Sequence, residues 1–135
     1  SKNKNDYFME ETKADILLSY GYNKEAIKFY EKVLKAQPNN IYAKYNIFVN
    51  STLNPAENKF NKGLFLDNLN LIKYFPNNRN IQIKYYNLAK ILKKNDWILL
   101  FETLLFQSKD TNKMLNQLKK QTKDYNLKKI IKLYT

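Results

Sequence analysis

The sequence predicts an all-α protein, and three observations carry that expectation. Only 2 of 135 residues are glycine and 3 are proline, too few for the turns of a sheet-rich fold. Apolar residues recur at helical spacing between capping asparagines and aspartates. The connections between these stretches are two to four residues long, which makes consecutive helices antiparallel neighbours.

The first helix is expected from Asp6 to Tyr20, with Ala14, Leu17 and Leu18 on one face, and Gly21 stops it. Asn23 is expected to cap a second helix over Lys24 to Ala36, whose Ala26, Tyr30, Val33 and Leu34 form a 3.6-residue stripe that Pro38 ends. Asn40 caps a third helix reaching Thr52. Asn54-Pro55-Ala56-Glu57 reads as another start: a cap, a proline at the first helical position and an acid three residues after the cap. That helix is expected to reach Tyr74, with Gly63 as its weak point. Asn80 opens the next, ending near Lys94, and Asp96 caps one over Trp97 to Gln107 that is apolar on nearly every side. Such a helix is buried on two sides or marks an interface. Asp110 opens a helix with Met114, Leu115 and Leu118 on its apolar face, and a short last helix runs from Tyr125 to Tyr134. One domain over residues 1–135 is expected.

A repeat underlies this pattern. Pro38-Asn39-Asn40-Ile41 returns as Pro76-Asn77-Asn78-Arg79-Asn80-Ile81, and Lys44-Tyr45-Asn46 as Lys84-Tyr85-Tyr86-Asn87. A period of about 38–40 residues belongs to helical solenoids.

Residues 21–40 resemble the second half of a tetratricopeptide repeat. The family's turn glycine, small residue, aromatic and closing proline stand here as Gly21, Ala26, Tyr30 and Pro38, and Ala14 falls at the small position of the preceding helix. The second repeat has Ala43 and Ile47 in its first helix, then extra residues around Asn54 to Lys62, with Leu64 at the small position. In the third, Asn95-Asp96-Trp97 stands at the turn, with Leu100 and Leu104 at the small and aromatic positions. The resemblance implies a right-handed helical-hairpin solenoid of about three repeats (residues 6–38, 41–76 and 81–108) and a capping helix pair over 110–134. It also implies a scaffold that binds another protein or peptide within a larger assembly. The leading helices of the repeats would line a groove bearing Phe8, Glu11 and Asp15, then Tyr42, Tyr45, Asn46 and Val49, then Gln82, Tyr85 and Ala89. Some members of the family clamp a C-terminal carboxylate with lysine and asparagine. Glu11 and Asp15 occupy two of those positions and only Asn46 matches, so a basic or apolar partner segment suits this groove better.

The chemistry available is narrow. With no cysteine and no histidine there is no thiol nucleophile, imidazole base or Cys/His zinc site, and the 12 acids show no EF-hand spacing. There is no glycine-rich phosphate loop and no paired carboxylates at a catalytic spacing, so no enzyme, cofactor or metal is expected.

The formal net charge is +12, half of it in residues 109–135, where Lys119, Lys120, Lys123, Lys128, Lys129 and Lys132 form a basic patch. Of the 24 basic residues all but Arg79 are lysine. Nucleic-acid readers favour arginine, and a lysine surplus beside abundant Asn, Ile and Tyr is what AT-rich codons produce. A bacterial source and a solvated lysine face are therefore expected, the alternative being a basic helical repeat associated with RNA or an anionic membrane. No run is long enough to span a bilayer. The chain begins at Ser1 rather than Met, which points to a fragment, with the cell envelope or periplasm as the compartment expected and the cytoplasm otherwise.

Overall fold

The computed structural model describes residues 4–135, with side chains from Tyr7 onward; Ser1 lies outside the described residues. Every regular element among them is an α-helix. The chain divides into two compact units, residues 1–52 and 53–135. No helix among the described residues is long and apolar enough to cross a membrane.

The first unit holds α1 (Lys4–Ser19), α2 (Asn23–Ala36) and α3 (Ile41–Asn50). Gly21 ends α1 as expected, at φ 84° in the left-handed region. The Gly21 amide donates to the Leu18 carbonyl at 3.0 Å and the Tyr22 amide to Leu17 at 2.9 Å, which satisfies the last carbonyls of the helix. The helix after this turn begins at Asn23 itself and has no side-chain cap, so Asn23 is not the cap expected of it. Ala14, Ala26 and Ala43 are fully buried with Tyr30 and Val33, and Leu17, Leu18, Phe29, Leu34 and Ile47 pack around them. Alanines at the contact let the helix axes approach closely, and the single large ring of Tyr30 fills the space left.

Asn40 caps α3 by accepting the Ala43 amide at 3.0 Å. Its counterpart in the second unit is Asn78, which accepts the Ile81 amide at 3.1 Å. Both caps follow the same proline-closed turn: the Asn40 amide donates to Gln37 and the Asn78 amide to Phe75. The expected cap at Asn80 is thus two residues too late, because the turn fixes the cap by its distance from the proline.

The second unit contains α4 (Asn58–Asp67), α5 (Leu69–Tyr74), α6 (Arg79–Ile91), α7 (Asn95–Leu105), α8 (Thr111–Gln121) and α9 (Tyr125–Lys132). Asn54-Pro55-Ala56-Glu57 does not start a helix. The Asn54 side chain accepts the Ala56 amide at 3.0 Å, closing a local turn that competes with helix initiation. The buried Asn61 side chain donates to the Asn54 carbonyl at 2.8 Å and holds that turn against α4. The helix runs through Gly63 unbroken and stops at Asn68, whose side-chain amide donates back to the Leu64 carbonyl at 2.8 Å.

At the end of α6 the turn residue is Lys93, at φ 57°, with the Lys94 amide donating to Ala89 at 2.9 Å. This is the geometry found at Gly21, and it lies two residues before the turn expected at Asn95. Trp97, Phe101 and Leu104 consequently form the buried i, i+4, i+7 stripe of α7, with Leu100 beside them. Asp96 does not cap that helix; it accepts the Thr122 hydroxyl at 2.7 Å. The Trp97 indole N–H donates to Asp124 at 2.8 Å, and the other oxygen of Asp124 caps α9 through the Leu127 amide at 3.1 Å. The α8–α9 turn is thereby fastened to the start of α7. Four rings form the centre of this unit. Phe65 meets Tyr85 and Trp97 edge-on at 5.1 and 5.0 Å, and Phe101 stacks on Tyr85 at 5.5 Å and on Trp97 at 6.3 Å.

The two glycines have opposite consequences. A Cβ at Gly63 would meet only Asp67 Oδ2, at 3.8 Å, so Gly63→Ala is expected to stabilise the protein by about 0.5–1 kcal/mol through helix propensity. Gly21→Ala is expected to destabilise it by about 1–2 kcal/mol, because an alanine there is held left-handed. Urea unfolding followed by circular dichroism reads both. Equal signs for the two substitutions would contradict the assigned turn.

Candidate interaction surfaces

The groove residues expected from α1 and α3 are joined by hydrogen bonds inside the first unit. Asp15 on α1 accepts the hydroxyl of Tyr30 from α2 through Oδ1, and the same oxygen accepts the hydroxyl of Tyr42 from α3 at 2.9 Å. One turn earlier, Glu11 accepts the Asn40 side-chain amide at 2.7 Å. Two carboxylates of α1 are therefore held against α2 and α3 by neutral donors. The ion pair seen on α1 among the described residues, Lys13–Glu10, involves neither of them. Tyr42 also meets the Tyr30 ring edge-on at 6.1 Å and remains 46% exposed. Burial, and then the Asp15 carboxylate, raise the pKa of both hydroxyls above the ordinary tyrosine value.

Tyr45 and Val49 are half-buried, while Asn46 is buried and donates to the Tyr42 carbonyl at 3.0 Å, a helix-internal bond rather than a hand held out to a ligand. Phe8 is 68% exposed. With Met9 and Ile16, both also exposed, it covers an arc of about 100° on α1 by helical periodicity. The opposite arc bears Ala14, Leu17 and Leu18, which face the core. Hence α1 carries three exposed apolar side chains away from the core, with the exposed Thr12 between Phe8 and Ile16, and this arc borders the Glu11–Asp15 edge.

In the second unit the expected groove residues are core residues. Tyr85 is fully buried; its ring sits in the four-ring cluster and its hydroxyl donates to the Phe65 carbonyl at 2.7 Å. Burial, with Asp67 nearby, raises its pKa. Gln82 is 3% exposed and donates to the Pro76 carbonyl at 2.9 Å, which also accepts the Tyr134 hydroxyl at 2.5 Å. Burial pushes the Tyr134 pKa up to about 12. Ala89 is fully buried as well. These three side chains offer no surface to a partner, which corrects the expectation for them. α6 turns that face toward α4 and α7 because the rings of Phe65 and Phe101 are there to receive Tyr85.

The basic patch spreads over α8, the turn after it and α9. Lys120, Lys123, Lys129 and Lys132 are exposed, and Lys119 and Lys128 are half-buried. Lys129 stands over the Tyr125 ring at 4.9 Å. The one arginine is not part of any basic surface of this kind. Arg79 caps α7, donating to the Leu105 carbonyl at 3.0 Å and to Leu104 at 3.4 Å. Lys73, which lines a cleft together with Lys129 and Lys132, was invisible to sequence reasoning. It is more than fifty positions away in the chain, and no periodicity connects the two stretches. Among the described residues no three acidic side chains gather as a metal site would require.

The raised tyrosine pKa values have a defined sign. A group whose pKa is higher folded than unfolded contributes stability that is present below about pH 10, its unfolded value, and is lost as pH rises through the folded value. Tyr30→Phe is therefore expected to cost about 1 kcal/mol at pH 7, the worth of one partly exposed hydrogen bond to a carboxylate. That gap should narrow above about pH 10, because the wild type loses stability there through Tyr30 and the variant does not. Urea midpoints across pH 7 to about 11.5 decide it; a gap that widens with pH would rule out the Asp15 pairing.

Comparison with protein-family models, curated proteins and solved structures finds no match to this chain.

Proposed function

We propose that this protein is a tetratricopeptide-like interaction module that binds a partner protein or peptide within a larger assembly, and that it catalyses no reaction. The observation that carries this reading is the group of exposed apolar side chains on the outer side of α1. Phe8, Met9 and Ile16 lie in solvent on a helix whose other face already satisfies the core. Removing three such side chains from water is worth about 1.5–3 kcal/mol each, and a partner gains that only by covering them.

The border of that face sets the partner's chemistry. Asp15 and Glu11 are both engaged by neutral donors, so their charge is positioned but not cancelled. A segment with an apolar anchor and a lysine or arginine beside it suits this edge, and a free C-terminal carboxylate does not. The tetratricopeptide resemblance of residues 21–40 supports the same reading. The position of Arg79 argues against nucleic acid, since the one guanidinium in the chain is spent on a helix end.

A photo-crosslinking amino acid placed at Phe8 tests this in extract of the source cells. It is expected to give one or two discrete adducts, lost when Met9→Ser and Ile16→Ser are added. The same probe at Phe106, which is 73% exposed on the second unit, is expected to give none of them. Identical adducts from both positions, or none from Phe8, would remove the proposal.

A further inference from the structure

A cleft of about 410 Å³ lies between α5 and α9 in the second unit. Its apolar lining is Leu69 from α5, Ile130 from α9 and Leu133 just after that helix. Three lysines border it: Lys73 on the α5 wall, and Lys129 and Lys132 on the α9 wall, all exposed. No carboxylate lines it. The volume falls in the range of sites that hold a small ligand or a few side chains, and the lining combines apolar side chains, Asn70 and Asn126 with charge of one sign.

We propose that this cleft docks an acidic segment of a partner protein carrying one or two large apolar side chains; this rests on the reading of the protein as an interaction module. Charge complementarity selects the occupant. Positive charge stands on both walls, so a segment lying between them meets a lysine on either side. A molecule with a single anionic head at one end would use one wall and leave the other unpaired. Lys129 and Lys132 are three residues apart and so project from one face of α9, at the spacing of successive acids along a helical or turn-forming segment. The apolar lining supplies what the lysines alone do not, since exposed ion pairs contribute little by themselves and a buried anchor side chain contributes most of the affinity. The cleft is distinct from the α1 face and has the opposite charge preference, so the two surfaces accept different segments.

The probe is a fluorescein-labelled dodecapeptide of glutamates with leucine at every fourth position, titrated into the full ¹⁵N-labelled chain at low ionic strength. Amide shift changes are expected to concentrate at residues 69–73 and 126–133. Anisotropy titrations are expected to show about ten-fold weaker binding for the Lys73→Glu/Lys129→Glu variant, and a similar loss when the peptide leucines become serine. Lys120→Glu/Lys123→Glu, which changes the same charge away from the cleft, should leave affinity within about two-fold.

Three results would overturn the proposal: no binding of the peptide, an equal loss from the Lys120/Lys123 variant, or equal binding of the leucine-free peptide. Sedimentation with equimolar phosphatidylcholine and phosphatidylglycerol vesicles forms a separate arm. Vesicle binding that depends on Lys73 and Lys129 without peptide binding would assign the cleft to a membrane surface instead. Shift mapping on the wild type holds even if a variant fails to fold. The Phe8 adducts report the interaction-module reading independently, so either idea can fail without the other.

Discussion

The described helices are too short to be securely stable in water on their own. The described helices run from 6 residues in α5 to 16 in α1, at or below the length at which an isolated helix is marginal. Each is therefore stable only while its apolar stripe is covered by a neighbour, and the short turns bring that neighbour from the next stretch of chain. The two units meet this constraint differently. The cluster that joins the helices of the first is built on small side chains: Ala14, Ala26 and Ala43 are fully buried around the ring of Tyr30. The second uses large ones, with Phe65 from α4, Tyr85 from α6 and Trp97 and Phe101 from α7 interlocked. Cavity formation at such a cluster costs about 3–5 kcal/mol per ring removed, a large share of the stability of any domain this size.

Where a helix begins and ends was legible when a single residue type decides it. Gly21 stops α1, Pro38 closes α2, and Asn40 caps α3 through its own side chain. The misreadings share a cause, which is that several residues of the same type compete for one role. Asn78 and Asn80 are both plausible caps, and the proline-closed turn, which repeats from Gln37–Asn40 to Phe75–Asn78, chooses between them. Gly63 is a weaker helix former than Asn68, yet the helix breaks at Asn68. There a side-chain amide can take the Leu64 carbonyl, whereas glycine has nothing to compete with. Lys93 holds the left-handed turn position without being glycine or asparagine, so no compositional rule would have found it, and the register of α7 was misplaced with it.

The site was less legible than the fold, because periodicity says which residues share a face and not what covers that face. Lys44-Tyr45-Asn46 and Lys84-Tyr85-Tyr86 look alike in sequence, but the caps at Asn40 and Asn78 put the two tyrosines two positions out of register, and Tyr45 is half-buried while Tyr85 is sealed by Phe65 and Phe101. Glu11 and Asp15 were expected as acids lining a groove. Their bonds to Asn40, Tyr30 and Tyr42 depend on where α2 and α3 return, which only the folded chain decides. The lysine surplus shows the same limit. Its number follows from the sequence, but the three that share an apolar lining are drawn from α5 and α9.

Tyrosine explains why aromatic content alone points to no surface here. A phenol can be buried if its hydroxyl finds an acceptor, and the interior tyrosines do: Tyr30 reaches Asp15, Tyr85 the Phe65 carbonyl and Tyr134 the Pro76 carbonyl. A phenol can also stay at the surface at little cost, with its hydroxyl in water, as at Tyr20, Tyr22, Tyr74 and Tyr125. Neither location of a tyrosine is therefore diagnostic. Phenylalanine lacks that freedom, and its exposure is all loss unless something covers it. Phe8 carries more of the proposed reading than any of the exposed tyrosines, because Met9 and Ile16 stand exposed on the same side of α1 and Asp15 and Glu11 border it.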